Sequence, residues 1–489
     1  MIQFRRHVLS GAVLGAMAAL PLASHATTGY LALGFGTQEM GMAGATSAAP
    51  QSAVAAAVNP AGMAFVGTRA DLGIRTFIPI RESELDSSNF GGGVVSDSSS
   101  DRIFMIPAGG LNWQINDNWS AGLSFFGNGG MNATYKTNLY DRTAAVLGAA
   151  QAAAGGAPVN PTDVFNSGTG TGVPDTGILN IDLQQLMIIP SAAFKWDDKY
   201  SIGAGPIIAM QKVEVNGLGD FQCFTTTAQQ GNAGCQTTGF PAADPQGSSN
   251  YPGLSQNLTD RGDEMRWGFG FRGGIQAKVM PNLSLAVAGA TKVYMSNYEK
   301  YKELFAEQGD LDIPANITAG LGWNAMPDLL LTFDYQRIFY EGVAAISNKG
   351  PRGPFLQGND LPKQNLGNDD GFGFGWRDIN VYRVGAAYDT TLWGKGWTFR
   401  GGLAYNDQPI PDDELLFNIL APATVQWHLT LGASFKPTDY AALHLGWMWA
   451  FNEEVSTDTT AFGGDAPQNI PGSISMYQTS VDMGLSVLF

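Results

Sequence analysis

From about Ala70 to the last residue, the chain breaks into segments of roughly 10 to 16 residues in which bulky apolar side chains alternate with small or polar ones, the period of two that marks strands with two unlike faces. Leu443, Leu445, Trp447, Trp449 and Phe451 form one face against His444, Gly446, Met448 and Ala450. Val481, Met483, Leu485, Val487 and Phe489 oppose Asp482, Gly484 and Ser486 in the same way. The connections come in two lengths that take turns. Short ones carry turn chemistry at Asn116-Asp117-Asn118, Asp197-Asp198-Lys199, Met280-Pro281-Asn282, Met326-Pro327-Asp328, Thr390 to Gly396 and Pro437-Thr438-Asp439. Long ones fall near 82–101, 136–181, 217–262, 299–312, 344–375, 408–422 and 453–473. Six short and seven long connections join fourteen strands. An even strand number with short turns at one end and long loops at the other predicts an all-β fold, a 14-stranded antiparallel transmembrane β-barrel of the outer-membrane type.

A soluble sandwich or propeller also alternates, but its strands run to about five or six residues, and this sequence has no internal repeat of blade length. Aromatics collect at strand ends (Trp113, Trp119, Trp196, Tyr200, Trp323, Tyr388, Trp397), where barrel girdles meet lipid headgroups. With 63 glycines and 14% charged residues, the chain is poor in the charge that a soluble helical enzyme carries. Hydrocarbon offers no partner to backbone polar groups, which a closed sheet satisfies internally. Charge must then face inward. Arg383 and Arg400 obey this by sharing parity with Val381 and Gly385, and with Thr398 and Gly402.

Residues 1–26 carry Arg5 and Arg6, an apolar run from Val8 to Leu22 and a small-residue site at Ser24-His25-Ala26, the plan of a cleaved export signal. The remainder holds 25 basic and 43 acidic residues, a net −18 that repels nucleic acid. Cys223 and Cys235 are the only cysteines, and an oxidising compartment favours a local disulfide between them. They lack the close spacing and neighbouring His of a metal or redox pair.

Residues 27–67 do not alternate. They are rich in Ala, Gly, Ser and Met, and the stretch Ser52 to Val58 predicts two helical turns that stop at Asn59-Pro60, because the residue before proline avoids the helical region. Low charge together with Leu31, Leu33, Phe35, Met40 and Met42 argues for burial, and a fourteen-strand barrel leaves a lumen that such a segment can plug. The expected organisation is therefore signal 1–26, hatch 27–67 and barrel 68–489. Within the third strand, Gly127-Asn128-Gly129-Gly130 places three glycines in four residues, which marks a bulge or an interrupted ladder.

The run Gly34-Phe35-Gly36, Met40-Gly41-Met42-Ala43-Gly44-Ala45 and Asn59-Pro60-Ala61-Gly62-Met63-Ala64 resembles the N-terminal hatch of the FadL-type long-chain fatty acid transporters of the Gram-negative outer membrane. Trp119, Gly122, Ser124, Asn128, Gly130, Met131, Thr134 and Tyr135 resemble that family's third strand. Trp376-Arg377-Asp378, Thr398-Phe399-Arg400-Gly401-Gly402, Pro409-Ile410-Pro411 and the terminal Phe489 resemble its last third. The resemblance implies passive uptake of hydrophobic compounds, long-chain fatty acids first among them, by capture between outer loops, binding in a lumenal pocket and lateral release at a third-strand kink. It places the kink at Gly127, Asn128, Gly129 and Gly130, sets Asn59, Pro60 and Ala61 of the hatch against it, and lets Leu31, Leu33 and Phe35 line the inner pocket. The capture groove falls to the loops at 136–181, with a short helix over 144–154, and 217–262. Arg383 and Arg400 are the parity-selected candidates for a carboxylate, with Lys292 and Arg377 behind them and lumenal ion pairs to acids such as Asp334 as the alternative.

No cofactor and no metal are implied. The partners expected are the hydrophobic ligand, outer-membrane lipid and lipopolysaccharide, for a monomeric protein that does not bind nucleic acid. An enzyme would have to work with His428 and His444, which the expected turn sets about 13 Å apart along the strands. Gly268-Phe269-Gly270-Phe271-Arg272-Gly273 matches a dinucleotide fingerprint but alternates as a strand and opens no helix. The same fold could carry aromatic hydrocarbons or alkanes. A general porin or an adhesin are the readings from another class.

Overall fold

The computed structural model describes residues 27–90, 93–140, 177–231, 255–350, 365–458 and 470–489. The export signal expected over 1–26, the helix expected over 144–154 and, through Cys235, the expected Cys223–Cys235 disulfide fall outside these residues.

Fourteen long strands follow one another round the sheet: β1 Arg69–Asp86, β2 Phe104–Gln114, β3 Trp119–Tyr135, β4 Leu179–Trp196, β5 Tyr200–Asn216, β6 Glu264–Met280 and β7 Leu283–Ala290. After them come β8 Asn316–Met326, β9 Leu329–Ile338, β10 Ile379–Leu392, β11 Lys395–Asn406, β12 Trp427–Thr438, β13 Ala441–Thr457 and β14 Gly472–Leu488. Each pairs antiparallel with the next, and β1 closes the ring on β14 from Arg69 opposite Leu488 to Leu85 opposite Gly472. Closure removes the sheet edges that a bilayer could not hydrogen-bond. Two short strands lie outside this count, Val94–Ser98 on β1 and Tyr294–Met295 on β6, both at the long-loop end.

The pleat sorts side chains by solvent. Val481, Met483 and Leu485 of β14 are exposed while Asp482 and Ser486 are buried, and Trp267, Phe269 and Phe271 give β6 the same outward stripe. At the short-turn end the ring centroids of Trp119 and Phe194 lie 4.9 Å apart, and those of Trp397 and Phe435 4.8 Å. This is the aromatic girdle of a membrane barrel.

Residues 27–67 bond to inward-facing groups all round the ring. Gln38 Nε2 donates to Asp71 Oδ1 of β1 (3.1 Å), the Ala43 amide to Thr430 Oγ1 of β12 (3.0 Å), and Ser47 Oγ to Asp334 Oδ1 of β9 (2.7 Å). Asn112 Nδ2 of β2 donates to the Met63 carbonyl (3.0 Å), and Ser201 Oγ of β5 to that of Ala61 (3.0 Å). Only a segment lying inside the cylinder reaches all of these strands. Its helices are tighter than the sequence suggested: Ala53–Ala57 is a 3₁₀ helix capped by Ser52, and a second, Pro60–Phe65, restarts at once. The restart uses Pro60 at the first helical position and Asn59 Oδ1 as the cap for the Ala61 amide, so the proline opens a helix as well as closing one.

The two histidines stand further apart than the turn suggested. His428 lies opposite Ala450 and His444 opposite Ser434, a separation of about 20 Å along the strands. His444 belongs to a buried polar cluster, with Nδ1 2.7 Å from Ser434 Oγ and Nε2 2.6 Å from Ser486 Oγ.

Candidate functional site: a lumenal cavity beside an opening in the wall

The wall is interrupted beside β3. From Gln114 opposite Ser120 to Ala108 opposite Phe126, β2 and β3 form an ordinary ladder, and there it ends. Phe104 to Pro107 stay bonded to β1, whereas β3 continues upward on β4 alone. The register of β3 on β4 slips between Gly127 and Gly129, leaving Asn128 as the extra residue of a bulge. From Ser124 to Ala133 every residue is buried, so this stretch has left the lipid-facing surface. Higher up, the Ser100 amide donates to the Thr134 carbonyl (2.8 Å) and roofs the opening.

Two features hold the bent strand. Asn128 Nδ2 donates to Gln185 Oε1 (2.8 Å), Gln185 Nε2 to Gln211 Oε1 (2.9 Å) and Gln211 Nε2 to the Leu311 carbonyl (3.0 Å), an amide ladder across three strands. The backbone groups turned away from β2 find the N-terminal segment instead. The Gly130 amide donates to the Tyr30 carbonyl (2.8 Å) and the Ala32 amide to the Asn128 carbonyl (2.9 Å), with Leu31 opposite Gly129. Gly129 is needed there because a Cβ would enter the Tyr30 carbonyl oxygen and stand 3.0 Å from Leu31 Cα.

Leu31, Leu33 and Phe35 line a lumenal cavity with about 450 Å³ of unfilled space, together with Asn128, Arg383 and Arg272. One wall is apolar, completed by Ala57 and Val58, and the other is polar, completed by Asn316, Thr318 and Gln336. Arg383 donates through Nη2 to Gln336 Oε1 (2.7 Å) and Arg272 through Nη1 to the Val58 carbonyl (3.1 Å). The Nε of each has no partner among the described residues. Asp334, named as the alternative partner for a lumenal cation, stands opposite Arg383 across the β9–β10 pair and receives the amide and hydroxyl of Ser47. A second cavity, with about 270 Å³ unfilled, lies in the wall opening between Ile106 and Ala108 of β2 and Phe126 and Gly127 of β3. Gly34 and Phe35 line both cavities, and the rings of Phe35 and Phe126 are 4.2 Å apart.

Other placements differ from the expectations. Asn59, Pro60 and Ala61 do not sit against the kink: Asn59 Nδ2 donates to the carbonyls of Ser47 (2.9 Å) and Ile275 (3.3 Å), and a Cβ at Gly203 would run into the Pro60–Ala61 peptide. The motif docks on β5 and β6, and residues 30–32 take the kink. Arg400 does not line the cavity either. Its Nη1 donates to Ser434 Oγ (2.5 Å) and its Nη2 to Gln51 Oε1 (3.4 Å), beneath the segment. Arg272 takes the place that sequence reasoning gave to Arg400, and the inward parity it shares with Gly268 and Gly270 was the available signal. Lys292 is occupied by Asp312 at 3.0 Å. Cys223 lies in the 3₁₀ turn Gly219–Phe224.

Above the lumen, the outer loops enclose an apolar cavity with about 360 Å³ unfilled, lined by Leu218, Leu304, Phe305, Phe372, Phe374 and Phe417 among others. A chain of contacts descends from it. Trp376 Nε1 donates to Asn418 Oδ1 (2.6 Å), the Trp376 and Tyr340 rings meet edge to face at 5.2 Å, and Tyr340 Oη donates to the Thr28 carbonyl (2.6 Å). The outer loops thereby touch the segment that lies on the kink. Burial raises the hydroxyl pKa of Tyr30 well above its ordinary value, with Tyr340 adding to the effect, so the hydroxyl stays neutral.

A closed fourteen-strand barrel with an occupied lumen, a girdle of aromatics and an interrupted wall defines a class of outer-membrane transport protein. The family described as outer membrane protein transport protein (OMPP1/FadL/TodX) matches residues 175–483, and the chain belongs to it. It is similar to a long-chain fatty acid transport protein of Escherichia coli O6:H1 strain CFT073, 26% identical over 315 residues, which span 61% of this chain and 61% of that protein. By fold it is similar to the Pseudomonas putida toluene transporter TodX (TM-score 0.60, 18% identity, 94% of this chain and 99% of that one). A Pseudomonas aeruginosa FadL homologue is as similar (TM-score 0.61, 17% identity, 94% and 99%).

Proposed function

We propose that the protein conducts hydrophobic monocarboxylates, of the long-chain fatty acid class, passively across the outer membrane. Solute enters the apolar cavity among the outer loops, passes to the lumenal cavity, and leaves sideways between β2 and β3. Residues 27–67 act as a hatch that holds the route shut. The observation that carries this reading is the double placement of Gly34 and Phe35, which line both the lumenal cavity and the wall opening, with the Phe35 ring packed on that of Phe126. Burying alkyl surface at each station, at about 25 cal/mol per Å², keeps the solute out of water while it moves. The carboxylate class rests on Arg272 and Arg383, two buried cations facing apolar side chains, since a guanidinium with free donors recognises an oxyanion in a charge-assisted bond. A long-chain fatty acid transport protein among its relatives supports the carboxylate reading.

Two measurements test the reading. Titration of detergent-purified protein with dodecanoate should show binding that the pair Arg272→Gln and Arg383→Gln weakens at least tenfold, while toluene binding is unaffected. Tight toluene binding with no dodecanoate binding would assign the route to neutral hydrocarbons. In cells, Gly127→Phe should fill the wall opening and lower dodecanoate uptake with lumenal binding retained. Full uptake by that variant would refute lateral release.

A further inference from the structure

Strand β1 carries three inward cations, and two of them are neutralised: Arg69 by Asp71 and Arg75 by Asp482, each at 2.8 Å. The third, Arg81, is 5% exposed and has no ion-pair partner among the described residues. Its Nη2 donates to the Asp101 carbonyl (2.5 Å), its guanidinium carbon stands 5.7 Å from the centre of the Phe104 ring, and its Nε has no partner among the described residues. A lone charge held out of water is costly unless an opposite charge or a full set of hydrogen bonds meets it.

Arg81 borders a third cavity, with about 310 Å³ unfilled, whose other walls include Phe77, Met131, Asn132, Leu420 and Met476. Its position in the fold gives it meaning. Phe77 pairs with Phe104, the first residue of β2, and Met131 and Asn132 belong to β3 above the bulge. The cavity therefore lies at the outer lip of the wall opening, where β2 no longer separates β1 from β3. Phe77 and Met476 also belong to one apolar cluster with Leu33 and Ile106, which joins this lip to the lumenal lining.

We infer that Arg81 forms a second anion-recognising subsite, which holds the carboxyl head of a long-chain monocarboxylate while its tail enters the bilayer through the opening. The guanidinium supplies donors to the head, and the Oδ1 of Asn132, a buried residue lining the same cavity, has no partner among the described residues and accepts from the head when it is protonated. Phe77, Met131 and Met476 receive the first carbons of the tail. The head then leaves last, so the residue selects acids from neutral hydrocarbons at the exit. This inference rests on the carboxylate reading of the lumenal cavity.

The test is a crystal of the full chain grown with 2-bromododecanoate, whose bromine marks the head, paired with uptake assays of Arg81→Met. Bromine beside Arg81 as well as beside Arg272 and Arg383 is the expected result. The variant should lose the first position, keep the second, and take up dodecanoate about tenfold more slowly, with toluene uptake unchanged. Bromine in the lumen alone would overturn the subsite and leave the main reading standing. Equal loss of dodecanoate and toluene uptake would make Arg81 a structural clamp on Asp101 and Phe104, which also overturns it. Bromine at neither place would sink both readings. If Arg81→Met loses the heat-modifiable mobility of a folded barrel, the bromine positions in the unaltered protein still decide.

Discussion

Replacing Gly129 by alanine probes the contact between residues 30–32 and the bent strand. A single methyl group there enters the Tyr30 carbonyl oxygen and stands 3.0 Å from Leu31 Cα, and both obstacles are backbone, which cannot rotate aside. The segment must withdraw. It then loses the bond from the Gly130 amide to Tyr30 (2.8 Å) and that from the Ala32 amide to Asn128 (2.9 Å). Each backbone bond broken in a buried site costs about 1.5 kcal/mol, so the pair should make local opening easier by about 3 kcal/mol. At about 1.4 kcal/mol per tenfold, amide exchange at Ala32 and Gly130 should speed up roughly a hundredfold. The β3–β4 ladder, which runs from Trp119 opposite Phe194 to Tyr135 opposite Leu179, involves none of these groups and should keep its protection. Hydrogen exchange with mass spectrometry reads both regions in one experiment. Gly401→Ala is the control, because the nearest atoms to its new Cβ lie 3.9 Å away. Unchanged exchange at Ala32 and Gly130 in Gly129→Ala would refute the docking of the segment on the kink. Loss of protection along the whole ladder would refute the claim that the kink is braced independently.

Phe35→Ala removes the ring between the lumenal and wall cavities and should speed dodecanoate uptake severalfold; stopped-flow uptake into vesicles measures it, and an unchanged rate would place the barrier elsewhere. Glu39 is the one charged residue in 27–67. Burial, with a smaller push from Asp71, raises its pKa to about 7 against the hydrogen bond from Ser52 (2.6 Å), and its Oε2 has no partner among the described residues. A raised carboxyl pKa favours the protonated form in the folded state, so the stability it contributes is complete below about 4.5 and is lost as pH rises through about 7. Amide protection around Met40 to Ala45 should fall over that window and become flat with pH in Glu39→Gln. Liposomes holding the protein should not swell in isotonic sugar; ready sugar flux would favour an aqueous porin.

Much of this was legible in residue order. Lipid outside and packed polar side chains inside force a period of two along the strands, and connections alternating in length gave the count of fourteen. Gly127, Gly129 and Gly130 marked the bulge because nothing but glycine allows another backbone to approach so closely, as Tyr30 does at Gly129. Parity selected Arg383 correctly as an inward cation. It applies equally to Arg400, and to Arg272 within a glycine-rich strand, so parity alone does not separate them.

Alternation tells whether a side chain faces lipid or lumen, and it stops there. Height along the cylinder and angle around it depend on the stagger of fourteen strands and on ring closure, which sum small offsets over the whole sheet. That sum brings Arg272 and Arg383 to one cavity and carries Arg400 to another level. The segment at 27–67 has no period at all, so only its packing against the finished wall could decide that Tyr30, Leu31 and Ala32 meet the kink while Asn59 and Pro60 dock on β5 and β6. The amino-acid order wrote the cylinder; the assembled cylinder chose what its beginning would touch.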